Sequence, residues 1–308
     1  MKTIADTEKV LKEFKVGKHL ILEMDDAFKF ECALCGGCCF NNAVALNCYD
    51  VVRLRHGVGA STTEILQKGV IDFHIGPSSG MPICTIQFQE ALSKTILTKC
   101  PFLLPIAHEA TLTLESTDIE AGKWACSVYK DRPVPCRLFP CGRVKSVNKE
   151  TGKVKQTFFL QEIDEFCPGL KGKKEQTLKQ YLDATEFKHY DEGSAKFANL
   201  ITKMSKTGFF APTKDNKSVP AVLKKGSETL FILGNIMYNF DSFNYFSNDT
   251  RVLKTITDPN ATQEDFIYVV DKIETLVFSL IRLHKEYKGD DEAIMQIINK
   301  NMGMGGEK

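Results

Sequence analysis

Four cysteines within eight residues, Cys32-Ala-Leu-Cys35-Gly-Gly-Cys38-Cys39, carry the plainest chemistry in this chain. A C-x-x-C spacing lets two sulfurs reach one metal from a tight turn. Gly36 and Gly37 let the backbone curl so that amides point at sulfur, and clustered thiolates need such donors to offset their charge. One further C-x-x step puts Cys38 within reach of the same centre. Cys39 points elsewhere, toward a second centre or into packing. More thiols follow at Cys100-Pro101, at Cys126, Cys136 and Cys141, and at Cys167-Pro168. Proline after a ligand removes an amide and turns the chain sharply. Arg132 and Arg137 lie among them and suit screening of a cluster's negative charge, binding of a carboxylate or phosphate cofactor, or an ion pair.

All 11 cysteines fall between Cys32 and Cys167, in a chain of 308 residues. An odd count fits a disulfide scaffold poorly. The first twenty residues carry charges throughout and no apolar core, unlike an export signal. No apolar run is long enough for a membrane span. A cytoplasmic setting, with reduced thiols that bind metal, is therefore expected. With 40 basic and 39 acidic residues, the net charge of +1 argues against a nucleic-acid partner.

The elements that must position these thiols read as α+β. Residues 4–15 pattern as an amphipathic helix. Residues 50–69 pattern as a helical hairpin, with Asp50 capping the first helix, Gly57 and Gly59 breaking it, and Ser61 with Glu64 boxing the second. Short strands are predicted at 83–89, 110–116, 142–148 and 153–163, with a hairpin turn at 148–152 and the cysteines on loops around a small sheet. From about residue 175 the pattern turns helical. Phe197, Leu200, Ile201 and Met204 share one face, a more apolar helix surrounds Glu228 to Tyr238, and the strongest helix spans 263–287, boxed by Thr262 and Asp265. The expected organisation is an N-terminal helix at 1–27, a Cys-rich metal-binding domain at 28–172 and an all-helical part at 173–308.

The order C-x-x-C-x-x-C-C, then C-P-F-L, then C-x-x-Y-x-x-R-P-x-x-C-R-x-F-P, resembles the YkgJ-type cysteine-cluster family, described as a zinc- or iron-chelating domain. Asp50-x-x-Arg53-Leu54 with Ser61-x-x-Glu64-Ile65-Leu66 looks like its helical hairpin, and Cys167-Pro168-Gly169 like its late cysteine. The resemblance covers roughly residues 28–170. It is shared in cysteine pattern with the flagellin lysine N-methylases. Carried over by position, it implies Cys32, Cys35, Cys38, Cys39, Cys100, Cys126, Cys136 and Cys167 as metal ligands. Cys48, Cys84 and Cys141 fall outside it and read as buried thiols or, for Cys141, as a substitute ligand.

Eight matched cysteines suffice for one metal site with spare thiols or for two. The ferredoxin-like triple run favours a [4Fe–4S] cluster, since zinc ribbons use well-separated C-x-x-C pairs. The functions that follow are an iron–sulfur protein serving electron transfer or a partner enzyme, a zinc-stabilised module whose helical part holds a protein partner, or a methyltransferase-like enzyme. No nucleotide-type glycine loop and no H-x-x-x-H pair is present, and Trp124 and Tyr129 read as shields for the cluster.

Overall fold

The computed structural model describes residues 20–76, 79–90, 98–106, 124–147, 154–161, 167–210, 228–287 and 289–302. The expected helix at 4–15, the strand at 110–116 and the turn at 148–152 lie outside these residues. The described chain is mixed helix and strand, built on several small antiparallel sheets. It forms two compact units, each drawn from three stretches: 1–42, 90–126 and 134–188 in the first, and 43–89, 127–133 and 189–308 in the second.

The first unit holds nine cysteines, including all eight that match the pattern. Its largest sheet is the hairpin Cys141–Val147 with Val154–Leu160, extended by Leu20–Leu22 along the far edge of Val154–Leu160. Alternation of side chains puts Phe158 in the core against Phe187, ring centroids 5.8 Å apart. Phe159 presses on Gly142, where a Cβ would stand 2.1 Å from its ring, so a larger residue there requires the ring to move.

A second ribbon pairs Ala27–Lys29 with Glu175–Thr177. Glu175–Thr177 therefore corrects the expectation of helix from residue 175. These three residues are a strand, because the edge of Ala27–Lys29 takes up their backbone groups, and the helix begins only at Leu178. Thr177 and Gln180 close its capping box. Gln176 is buried and donates to the Phe30 carbonyl at 2.9 Å. Tyr181 meets Phe28 and Phe30 edge-on at 5.5 and 5.8 Å.

The second unit joins the strands Ala45–Leu46, Pro82–Ile86 and Ile71–Ile75, in that spatial order, to the helical hairpin and the C-terminal helices. The hairpin's first helix runs Cys48–Val58. Its cap is Asn47, not Asp50. The Asn47 side chain accepts from the Asp50 amide, while Asp50 accepts from the Asn47 amide three residues back. Gly57 stays inside the helix, where Val128 and Asp131 pack close enough that a Cβ would stand 3.0–3.2 Å from them. Gly59 ends the helix at φ 68°, the left-handed closure glycine allows. Thr62–Gln67 follows, boxed by Ser61 and Glu64 as expected.

Arg55 pairs with Asp241 at 2.6 Å, and Asp241 also accepts from the Thr62 amide at 2.7 Å. Thus one carboxylate ties both hairpin helices to the C-terminal part of this unit. The helix Gln263–Glu286 buries its whole predicted stripe, Phe266 through Ile281. The helix Phe187–Ser205 buries Phe197, Leu200 and Met204, with Ile201 at the rim. Among the described residues, no helix is long and apolar enough to cross a membrane.

Candidate metal centre

The C-x-x-C-x-x-C-C segment is a tight loop set by two left-handed residues, Leu34 at φ 50° and Gly36 at φ 73°. Gly36 opens a 3-10 turn over Gly37–Cys39, and the Cys39 amide closes on the Gly36 carbonyl at 2.7 Å. A Cβ on Gly36 would stand 3.1 Å from both Leu103 and Trp124, so the position is restricted by packing as well as by φ. Trp124 holds the loop from outside: its amide donates to the Leu34 carbonyl at 3.1 Å, and its ring meets Phe40 edge-on at 5.7 Å. Trp124 is buried, while Tyr129 is half exposed with the Arg132 guanidinium 3.9 Å from its ring centre.

Cys167 reaches this loop through backbone pairing. The strand contact of Ala27–Lys29 with Glu175–Thr177 continues as Phe30 N to Lys174 O and Glu31 N to Gly169 O, 3.1 and 3.0 Å. The turn Pro168–Lys171 therefore sits beside Glu31, one residue before Cys32. Gly169 is squeezed there, with a Cβ position only 2.7 Å from the Glu31 carbonyl. The Gly37 amide donates to the Cys35 sulfur at 3.4 Å, and the Leu170 amide donates to the Cys167 carbonyl at 3.1 Å. Burial pushes the Cys35 thiol up, and Cys38 and Cys32 add to that from close by. Burial likewise raises Cys167, and the nearby Cys35 and Cys38 thiols add to that. Cys32, Cys35, Cys38 and Cys167 are one electrostatic group.

A second group lies on the other side of Cys38. The Cys38 and Cys39 sulfurs are 3.8 Å apart. Phe40 and Lys99 form an antiparallel bridge, and the Cys100 amide donates to the Cys39 carbonyl at 2.8 Å, which sets Cys39 opposite Cys100. Cys39 is raised chiefly by its neighbours Cys100 and Cys38, and Cys100 is lowered chiefly by Cys39, with the Phe102 and Leu103 amides adding to it. Cys126 is on the strand Trp124–Cys126, in register with Leu103, and Cys136 is in the short helix Val134–Leu138. Among the described residues, no three His, Cys, Asp or Glu side chains are drawn into metal-holding geometry.

The thiols outside the pattern are buried. Cys48 and Cys84 belong to the second unit, and burial raises both. Cys48 opens a helix, while Cys84, Cys126 and Cys141 lie on strands, so the cysteines are not confined to loops as expected. The Cys141 thiol is pushed up to about 12 by burial alone. All eleven cysteines are free thiols.

The two arginines are engaged by protein groups. Arg137, 2% exposed, donates to the Thr185 carbonyl at 2.9 Å and faces Glu186 at 3.5 Å. Its own carbonyl accepts from the Tyr181 hydroxyl at 3.2 Å. Arg132 donates to the Tyr129 carbonyl at 3.0 Å. Sequence reasoning missed the pairing of residues 27–31 with 169–177. Its only local signal is the Pro-Gly pair after Cys167. Comparison with family models, with curated proteins and with solved structures gave no match for this chain.

Proposed function

We propose that this chain is a metal-binding protein in which Cys32, Cys35, Cys38 and Cys167 hold a [4Fe–4S] cluster, for electron transfer or in support of a partner enzyme. The observation that carries this reading is the meeting of the three-cysteine loop with the Cys167 turn through the Glu31–Gly169 pairing, with the Gly37 amide aimed at the Cys35 sulfur. Sulfur donors spaced by two residues, completed by a distant Cys-Pro and compensated by amides, are the donor set that iron–sulfur clusters take. Such a cluster supplies one-electron chemistry. The chain's own residues set its environment: Trp124 covers the loop, and the Gly37 amide favours the more negative state.

A second reading has its own observation. Four ligands about 2.3 Å from a zinc ion stand about 3.8 Å from one another, which is the Cys38–Cys39 sulfur separation. A mononuclear zinc held in part by Cys38, Cys39 and Cys100 would stabilise a module for a protein partner. The resemblance to the YkgJ-type family is compatible with either metal. Anaerobic purification followed by iron, zinc and acid-labile sulfide analysis separates them. Iron with equal sulfide, and a visible absorption that dithionite bleaches, supports the first reading. Zinc without sulfide supports the second, and a metal-free chain overturns both.

A further inference from the structure

Cys39 and Cys100 form an arrangement that a metal site does not require. They face each other across an antiparallel bridge, with the Cys100 amide donating to the Cys39 carbonyl at 2.8 Å. Residues so placed have α-carbons about 5.5 Å apart. That lies inside the range of about 4.4–6.8 Å which a disulfide spans without backbone movement. Cys38 is the competing partner, its sulfur 3.8 Å from that of Cys39. But adjacent residues have α-carbons only about 3.8 Å apart, below that range. Backbone geometry therefore favours closure with Cys100 over closure with Cys38.

We propose that Cys39 and Cys100 are an oxidisable dithiol that a hydroperoxide closes into a cross-strand disulfide. Cys39 is the more accessible of the two, half-buried where Cys100 is buried, so it meets the oxidant first. Its sulfur attacks the peroxide as its proton passes to the departing oxygen, the O–O bond breaks, and Cys39 becomes a sulfenic acid as water leaves. The Cys100 sulfur then attacks the Cys39 sulfur, the S–O bond breaks, and a second water leaves. Two thiols and one hydrogen peroxide give one disulfide and two waters. The disulfide does not depend on the metal assignment. Its consequence, loss of any metal that Cys39 and Cys100 help to hold, rests on the reading above.

The test uses the full chain, purified anaerobically and exposed to a small excess of hydrogen peroxide. Catalase stops the reaction, free thiols are alkylated, and the protein is digested without reductant for mass spectrometry. The expected product is a linked pair of peptides, two hydrogens lighter than their sum and separated by dithiothreitol, with fragment ions placing the bond at Cys39 and Cys100. Alkylation of Cys100 should fall by roughly tenfold in the wild-type chain and in Cys38→Ser, and be unchanged in Cys39→Ser. A bond from Cys100 to any other cysteine, a Cys38–Cys39 bond, or oxidation to sulfinic acid without a link overturns the proposal. Wild-type fragment ions decide the matter even if a variant fails to fold. Metal analysis of the untreated chain is read separately, so a metal-free protein that still forms the link would refute the metal reading alone.

Discussion

Replacing Gly169 by alanine tests whether the Cys167 turn is held where the cysteine loop needs it. The added Cβ would stand 2.7 Å from the Glu31 carbonyl oxygen and 2.9 Å from the Phe30 ring. The first contact is with backbone, which cannot rotate away. Ordinary contact begins at 3.4 Å, so the turn must retreat by several tenths of an ångström, straining the Glu31 N to Gly169 O bond. Overpacking of this kind costs about 1–3 kcal/mol. If that strain falls on the metal-bound state, metal is held roughly 5- to 150-fold less tightly. The assay is metal content after timed exposure to a chelator, alongside denaturant unfolding. Gly57→Ala is the control. Its Cβ would crowd Asp131 and Val128 at 3.0–3.2 Å, in the unit without the matched cysteines. It should lower stability while leaving metal retention at the wild-type level. Full retention in Gly169→Ala, or equal loss in Gly57→Ala, refutes the reasoning.

Cys35→Ser and Cys167→Ser should each abolish metal retention, whereas Cys48→Ser and Cys84→Ser should retain it and cost about 1–3 kcal/mol for a hydroxyl placed in an apolar site; metal analysis and urea unfolding read the two effects. Arg137→Ala should cost about 2–4 kcal/mol, because the Thr185 carbonyl loses its buried charged donor, while Arg132→Ala should cost about 0.5 kcal/mol, since its partner Tyr129 is exposed. Asp249, whose partial burial opposes ionisation, is held down to about 2 by the Val252 amide, the Tyr268 hydroxyl and Lys272. A depressed carboxylate stabilises fully above its unfolded value near 3.8 and loses that contribution as pH falls toward 2. After allowance for solvent screening it is worth about 1 kcal/mol, and Asp249→Asn should flatten the stability profile across that window.

The helices were legible where one face had to be buried. The stripe from Phe266 to Ile281 and the boxes Ser61/Glu64 and Thr262/Asp265 need only local rules. The hairpin cap was harder, because both Asn47 and Asp50 can cap, and only the observed geometry shows Asn47 doing so with Asp50 answering it. Glu175–Thr177 was misread since a three-residue strand carries almost no period of its own; its partner lies near residue 28. The same distance effect hides the site. The loop geometry at Gly36 follows from local chemistry, but the meeting of Cys167 with Cys32 depends on main-chain pairing between segments some 140 residues apart. Likewise, linear order groups residues 48–67 with the cysteines, while the hairpin's contacts, through Arg55 and Asp241, lie with the C-terminal helices.

Iron, zinc and acid-labile sulfide counted on the anaerobically purified full chain test the central claim most directly. About four iron and about four sulfide per chain are expected, lost in Cys35→Ser and kept in Cys84→Ser. A colourless chain without iron or sulfide, or one whose iron survives Cys35→Ser and Cys167→Ser unchanged, would contradict it.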